Sequence, residues 1–132
     1  MPPDALVIRF RPTNPEDVFN WAEKEHRRRR DPEHPEQTFY RISVFADVKR
    51  DGESDDDLLR RLIEASGLDL GKNKYCWTTR SERLQDLGLT FWKDGDADEV
   101  EEHYSLDLGS SPTVEDVGRM LEVFEGPERT RS

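Results

Sequence analysis

A run of carboxylates is the densest chemical feature of the chain, with six acidic residues in the nine positions 94–102, here called the acidic segment. Asp94, Asp96 and Asp98 have the alternate spacing of acidic ligands in calcium-binding loops. Glu99, however, stands where such a loop needs glycine for its sharp turn. We therefore exclude an EF-hand and predict no metal and no cofactor. A looser cation site or a solvated turn would explain the same residues.

The acidic segment is also a candidate surface for binding a protein. The chain has a formal net charge of -10 and a pI near 4.8. Concentrated negative charge repels nucleic acid and anionic membranes and attracts basic proteins. Exposed aromatic residues beside it would be typical of a binding hot spot. We predict that a basic partner contacts the segment and its flanks: Trp92, Asp94, Asp96, Asp98, Glu99, Glu101, Glu102 and Tyr104. For the side chain of Trp92 taken alone, the pattern favours core packing over an exposed position.

A basic run at residues 27–30 contrasts with this acidity. Clustered arginines are a usual footprint of nucleic-acid binding. These arginines also close a predicted helix, where cations offset the negative end of the helix dipole. No second basic cluster accompanies them, so we do not expect nucleic acid as a partner.

No catalytic signature emerges from the remaining reactive side chains. His26, His34 and His103 lack the spacing of a metal pair. Cys76 is the single cysteine, which excludes an intramolecular disulfide, and its setting predicts a buried, inert thiol. Glycine-rich phosphate loops are absent. The sequence favours a protein that is not an enzyme. The alternative is a ligand-binding or enzymatic domain that uses Arg9, Arg41, His103 or Tyr104 in a cleft on the open sheet face.

Alternating strands and helices are predicted to position these residues. Apolar alternation predicts strands at residues 5–11, 39–49, 74–79, 89–93 and 99–108, the last two forming a hairpin around the acidic segment. Capping signals at Asn14, Ser54 and Thr113 begin three helices. Trp21 falls on the apolar stripe of the first helix, and we expect it in the core.

This order predicts an α+β fold, a two-layer sandwich in which a mostly antiparallel sheet carries about three helices on one face. A loosely ferredoxin-like plan comes closest. We expect one domain over residues 1–126 and a flexible C-terminal tail at residues 127–132. An exposed sheet face that pairs with its copy would give a homodimer.

The composition indicates where in the cell the protein is located and which class of protein it belongs to. Charged residues make up 38% of the chain and apolar residues 33%, and no apolar run approaches the roughly 18 residues of a membrane span. The start has no signal-peptide pattern. We predict a cytoplasmic protein that does not bind membranes. In size and charge alone it resembles immunity proteins and antitoxins, which neutralise basic toxins. The resemblance implies an inhibitor, and it carries no site residues over.

Overall fold

The computed structural model describes residues 1–28, 39–93 and 100–131. These residues form a six-stranded sheet and four helices. In chain order the elements are β1 (Leu6–Arg9), α1 (Pro15–Arg28), β2 (Tyr40–Asp47), α2 (Asp55–Ser66), β3 (Tyr75–Arg80), α3 (Ser81–Gln85), β4 (Thr90–Lys93), β5 (His103–Gly109), α4 (Val114–Glu122) and β6 (Glu125–Arg129). Within these ranges, no helix is both long and apolar enough to cross a bilayer.

The strands lie in the order β4-β5-β2-β1-β3-β6, and every neighbouring pair is antiparallel. The predicted α+β class and antiparallel sheet are thus confirmed. Strand β1 occupies the interior of the sheet, and all four of its residues are buried. The ferredoxin-like plan is not confirmed. A split βαβ unit has a strand inserted between its two strands, whereas β1 and β2 are direct antiparallel neighbours.

The helices divide between the two faces of the sheet, which corrects the expectation of about three helices on one face. Helices α1 and α4 cover one face, where Val18 and Met120 pack with Val7 of β1. Helix α2 covers the other face, where Leu62 packs with Ile8. Successive residues of a strand point to opposite faces. Because β1 is apolar on both sides, it needs a helix on each.

The predicted helix starts are confirmed. Ser54 Oγ and Thr113 Oγ1 each accept a hydrogen bond of 3.1 Å from the backbone N–H of the third helical residue, and the aspartate there bonds back to the cap. Asn14 Oδ1 accepts one of 2.9 Å from the N–H of Glu16 at the start of α1. Such caps satisfy backbone donors that a helix leaves unpaired.

The placement of Trp21 in the core is wrong, since 59% of this residue is exposed. Val18 and Ala22 are the buried residues of α1, and their line faces the sheet. Each residue turns the helix by about 100°. Trp21 therefore lies about 60° from Val18 and about 100° from Ala22 around the helix axis, at the border of the packed face.

The C-terminal region differs from the predicted flexible tail that begins at residue 127. Strand β6 spans that boundary and pairs with β3 at the edge of the sheet. Thr130, just beyond it, is buried, and its Oγ1 donates a 2.6 Å hydrogen bond to the Asn73 carbonyl. All five residues of β6 are exposed. Its pairing uses the backbone, which leaves no apolar alternation to detect.

Candidate functional site

The predicted hairpin around the acidic segment is confirmed as β4 and β5, in which Trp92 faces Ser105 and Lys93 faces Tyr104. Of the eight predicted contact residues, four lie outside the described residues: Asp94, Asp96, Asp98 and Glu99. Glu101 is exposed and Glu102 is half-buried at the start of β5. The described part of the hairpin thus leads directly into the acidic segment from both sides.

Trp92 lies on β4, an edge strand of the sheet, with 50% of the residue exposed. Its indole Nε1–H donates a 3.0 Å hydrogen bond to Asp107 Oδ2 on the neighbouring strand. The Phe39 ring lies beside it, with centroids 6.3 Å apart. Trp92 is therefore not a core residue, and its polar tip is held by a carboxylate.

Tyr104 projects from the opposite face of the hairpin, because it pairs with Lys93, the neighbour of Trp92. Its ring packs edge-on against Phe91, with centroids 6.4 Å apart, and Lys93 Nζ lies 4.9 Å from its centre. Tyr104 also borders the core beneath α1 and α4. The structure does not bring the two predicted aromatic anchors together on one surface.

The four residues of the alternative cleft also divide between the two faces. Arg41 and His103 lie on the face of α2, where the His103 ring stacks on Phe45 with centroids 5.1 Å apart. Arg9 lies on the other face, 5.8 Å from the Phe124 ring centre. Tyr104 shares that face. A single cleft on an open sheet face therefore does not form from this set.

A groove of about 850 Å³ opens where β1 ends, between α1 and β2. Both Arg9 and His103 line it, since the groove passes the end of β1 and reaches both faces of the sheet. The sequence does not reveal this site. It depends on how far β1 extends between its neighbours, and no local pattern encodes that length.

Arg9 is the unusual residue of this groove, because only 5% of it is exposed. Burial lowers the pKa of its guanidinium to about 10, so the group stays charged at neutral pH. Its Nη2 donates to the Pro12 carbonyl oxygen. Within the described ranges, no carboxylate forms an ion pair with it. The alternation in the sequence predicts that Arg9 is exposed. Its position between apolar residues of the strand is the sequence feature that is consistent with its burial.

Cys76 is buried against α2, as the sequence predicts. Burial, together with the nearby charge of Glu128, raises the pKa of the thiol to about 11. A thiol that stays protonated at neutral pH is a poor nucleophile and a poor metal ligand. This setting favours a packing role for Cys76.

No protein-family model matches the chain, and no curated protein or solved structure shows significant similarity to it. Antiparallel α+β folds also carry many unrelated functions. The chemistry of the hairpin and of the groove is therefore the basis for assigning a function.

Proposed function

We propose that this protein is a binding module for a basic protein, which it engages through Trp92 and the acidic segment. The observation that carries the proposal is the half-exposed Trp92, held at the sheet edge where the chain enters that segment. Tryptophan is among the residues most enriched in binding hot spots. Exposure of half of a large apolar side chain to water is unfavourable, and a partner that covers Trp92 would bury that surface.

The indole of Trp92 is pre-positioned for a contact. Its hydrogen bond to Asp107 and the neighbouring Phe39 ring restrict its rotamers before any partner arrives. Less side-chain entropy is then lost on binding. The face of an indole attracts lysine and arginine, and the effect strengthens when the pair is desolvated. A basic partner would therefore gain from the ring itself as well as from the nearby carboxylates.

The charge of the chain supports the same kind of partner. A net charge of -10 on 132 residues gives a long-range attraction for cationic proteins. In the sequence, the acidic segment begins two residues after Trp92 and concentrates this charge there. Such complementarity acts chiefly on the association rate and on the choice of partner. An inhibitor of the immunity-protein or antitoxin kind, which occludes a basic toxin without chemistry of its own, has this mode of binding.

The test is capture of proteins from lysate of the source cells by the immobilised chain, at low and at high salt. Binding of each recovered protein is then measured with purified components. We expect Trp92→Ala to raise Kd by about 30-fold or more, the effect of a hot-spot truncation. Four amide replacements within the acidic segment should slow association about tenfold at low salt and flatten its salt dependence. These are Asp96→Asn, Asp98→Asn, Glu101→Gln and Glu102→Gln.

Matched controls distinguish an effect of the hairpin surface from a general effect of an exposed tryptophan or of net charge. Trp21→Ala removes a tryptophan of similar exposure elsewhere, 59% against 50% for Trp92, and should leave Kd within about threefold. Four amide replacements at exposed acids away from the hairpin change the net charge by the same amount and should affect association much less: Asp4→Asn, Asp51→Asn, Glu64→Gln and Glu115→Gln. The proposal fails if both charge sets act alike and Trp92→Ala acts no more than Trp21→Ala.

A further inference from the structure

The groove at the end of β1 holds a positive charge that the described structure does not neutralise. Arg9 is 5% exposed, yet its contacts are a carbonyl oxygen and an aromatic ring face. Burial of an unpaired ion is unfavourable even after the protein relaxes. A carboxylate is the usual partner of a buried guanidinium, since both present two parallel hydrogen-bonding positions. Arg9 thus brings to the groove a buried guanidinium, whose usual partner is a carboxylate.

The charge around the groove is opposite to that of the chain as a whole. Arg9, Arg11 and Lys24 all line it, and Asp17 is the one acidic residue among the described lining residues. Asp17 is exposed, whereas the side chain of Arg9 is buried. The chain as a whole has a net charge of -10, whereas the described lining of this groove has more cationic than acidic residues. This local excess gives an anion a favourable place to bind on a surface that otherwise repels it.

The walls of the groove are largely apolar. They include two large side chains that remain exposed at its rim, Trp21 at 59% and Leu68 at 39%. Further apolar lining residues are Phe10, Val18, Ile42 and Phe45. Ligand pockets are typically apolar cavities of about 300–1,000 Å³ with a few polar groups that orient the ligand. The groove has that size and that composition.

We propose that this groove binds a small monocarboxylic acid with an aromatic or aliphatic body, whose carboxylate pairs with the Arg9 guanidinium. The apolar body lies against Trp21 and the neighbouring walls. Arg9 is the buried cation of the groove, whereas Arg11 and Lys24 are exposed. Its single charge matches one carboxylate, and a phosphate dianion would leave a second charge unmatched beside it. None of the described lining residues of the groove is among the eight predicted contact residues of the hairpin, and the proposal does not depend on a protein partner there.

Calorimetric titration with matched pairs of compounds tests the proposal. The probes are 4-phenylbutyrate and decanoate, each beside its primary amide, which keeps the shape and removes the charge. Each acid should bind the wild-type protein at least about tenfold more tightly than its amide, as expected for a charge-assisted hydrogen bond in a buried setting. Equal binding of acid and amide, or no binding of either acid up to about 10 mM, would overturn the proposal.

Two substitutions assign the effect to Arg9. Arg9→Met keeps the length and apolar stem of the side chain and should reduce the acid-to-amide ratio to about one. Arg50→Met, at an exposed position outside the groove, should leave the ratio within about threefold. Survival of the full ratio in Arg9→Met would sink the assignment. Trp92→Ala should not change binding of either acid, which separates this site from the hairpin.

A measurement on the wild-type protein tests the proposal even if Arg9→Met does not fold. Addition of 4-phenylbutyrate should shift the Nε–H resonance of Arg9 and the indole N–H resonance of Trp21 in nitrogen-15 spectra. The amide should shift the Arg9 resonance far less. Shifts confined to residues outside the groove would contradict the proposal. The melting temperature of Arg9→Met should equal or exceed that of the wild type, because an uncompensated buried charge is removed.

Discussion

Replacement of Arg61 by methionine should lower the melting temperature by about 5–10 °C. Arg61 forms a bidentate pair with Glu53, through Nε to Oε2 at 2.8 Å and Nη2 to Oε1 at 2.9 Å. It also donates from Nη1 to Asp47 Oδ2 at 2.6 Å and from Nη2 to the Val48 carbonyl at 3.0 Å. One guanidinium thus joins the end of β2, the following turn and α2. Its loss leaves half-buried acceptors without their donor.

Thermal unfolding followed by circular dichroism measures this effect. Arg27→Met is the matched control, because the Arg27–Glu23 pair at 2.8 Å lies on an exposed face of α1 with 76% of the arginine side chain accessible. Exposed pairs of this kind contribute little. We expect a change within about 2 °C for the control. A similar small change for Arg61→Met would show that the cluster is not a structural link.

The same cluster predicts how stability depends on pH. The hydrogen bond from Arg61, followed by that from the Arg50 backbone N–H, lowers the pKa of Glu53 to about 2. In the unfolded chain this pKa is near 4.3. The stabilisation is therefore complete above about pH 5 and is lost as the pH falls through about 2. The difference in melting temperature between wild type and Glu53→Gln should shrink over that range; a difference that stays constant with pH would contradict the assignment.

Replacement of Gly126 by alanine should destabilise the protein by about 3 kcal/mol, since two effects combine at this position. Gly126 has φ of +143°, a conformation that L side chains rarely adopt. An added Cβ would lie 3.0 Å from Trp77 Cδ1 and 3.1 Å from the Cys76 carbonyl oxygen. The alanine would therefore push β6 away from β3.

Gly52→Ala is the control for the backbone term alone. Gly52 has φ of +83°, and an added Cβ there meets nothing within 4 Å. We expect a loss of about 1 kcal/mol from backbone strain. Chemical denaturation gives the two free energies of unfolding, and hydrogen exchange of the β3 and β6 amides shows whether the loss is local. Equal losses in the two variants would mean that the close approach of β6 to β3 is not needed.

Features set by neighbouring residues were predictable from the sequence. The caps at Ser54 and Thr113 depend on a hydroxyl and an acid three positions apart, and both are present as predicted. The apolar stripe of α2 follows from helical spacing in the same way. The hairpin followed from two apolar stretches around a polar turn. Each of these patterns encodes its own structure locally.

Features set by distant residues were not predictable in this way. Trp92 and Tyr104 lie on opposite faces because of the register of β4 against β5. A shift of one residue in this register would move the side chains of one strand to the other face of the sheet. The burial of Arg9 depends on the end of β1 and on the position of α1 above it. Strand β6 is exposed and paired through its backbone, so its side chains carry no signal. The hairpin was thus found from the sequence, and the groove was not.

The interior position of β1 has a consequence for how the chain reaches its native state. Leu6 pairs with Asp47 on one side and with Arg80 on the other. Both partners lie far along the chain, so this strand leaves the ribosome well before either is available. Pairing across such separations slows folding. Meanwhile an apolar strand with two unpaired edges is prone to aggregate. Both edges of β1 can be paired only after β3 has been synthesised. We therefore expect the tendency of the nascent chain to associate through β1 to fall at that step.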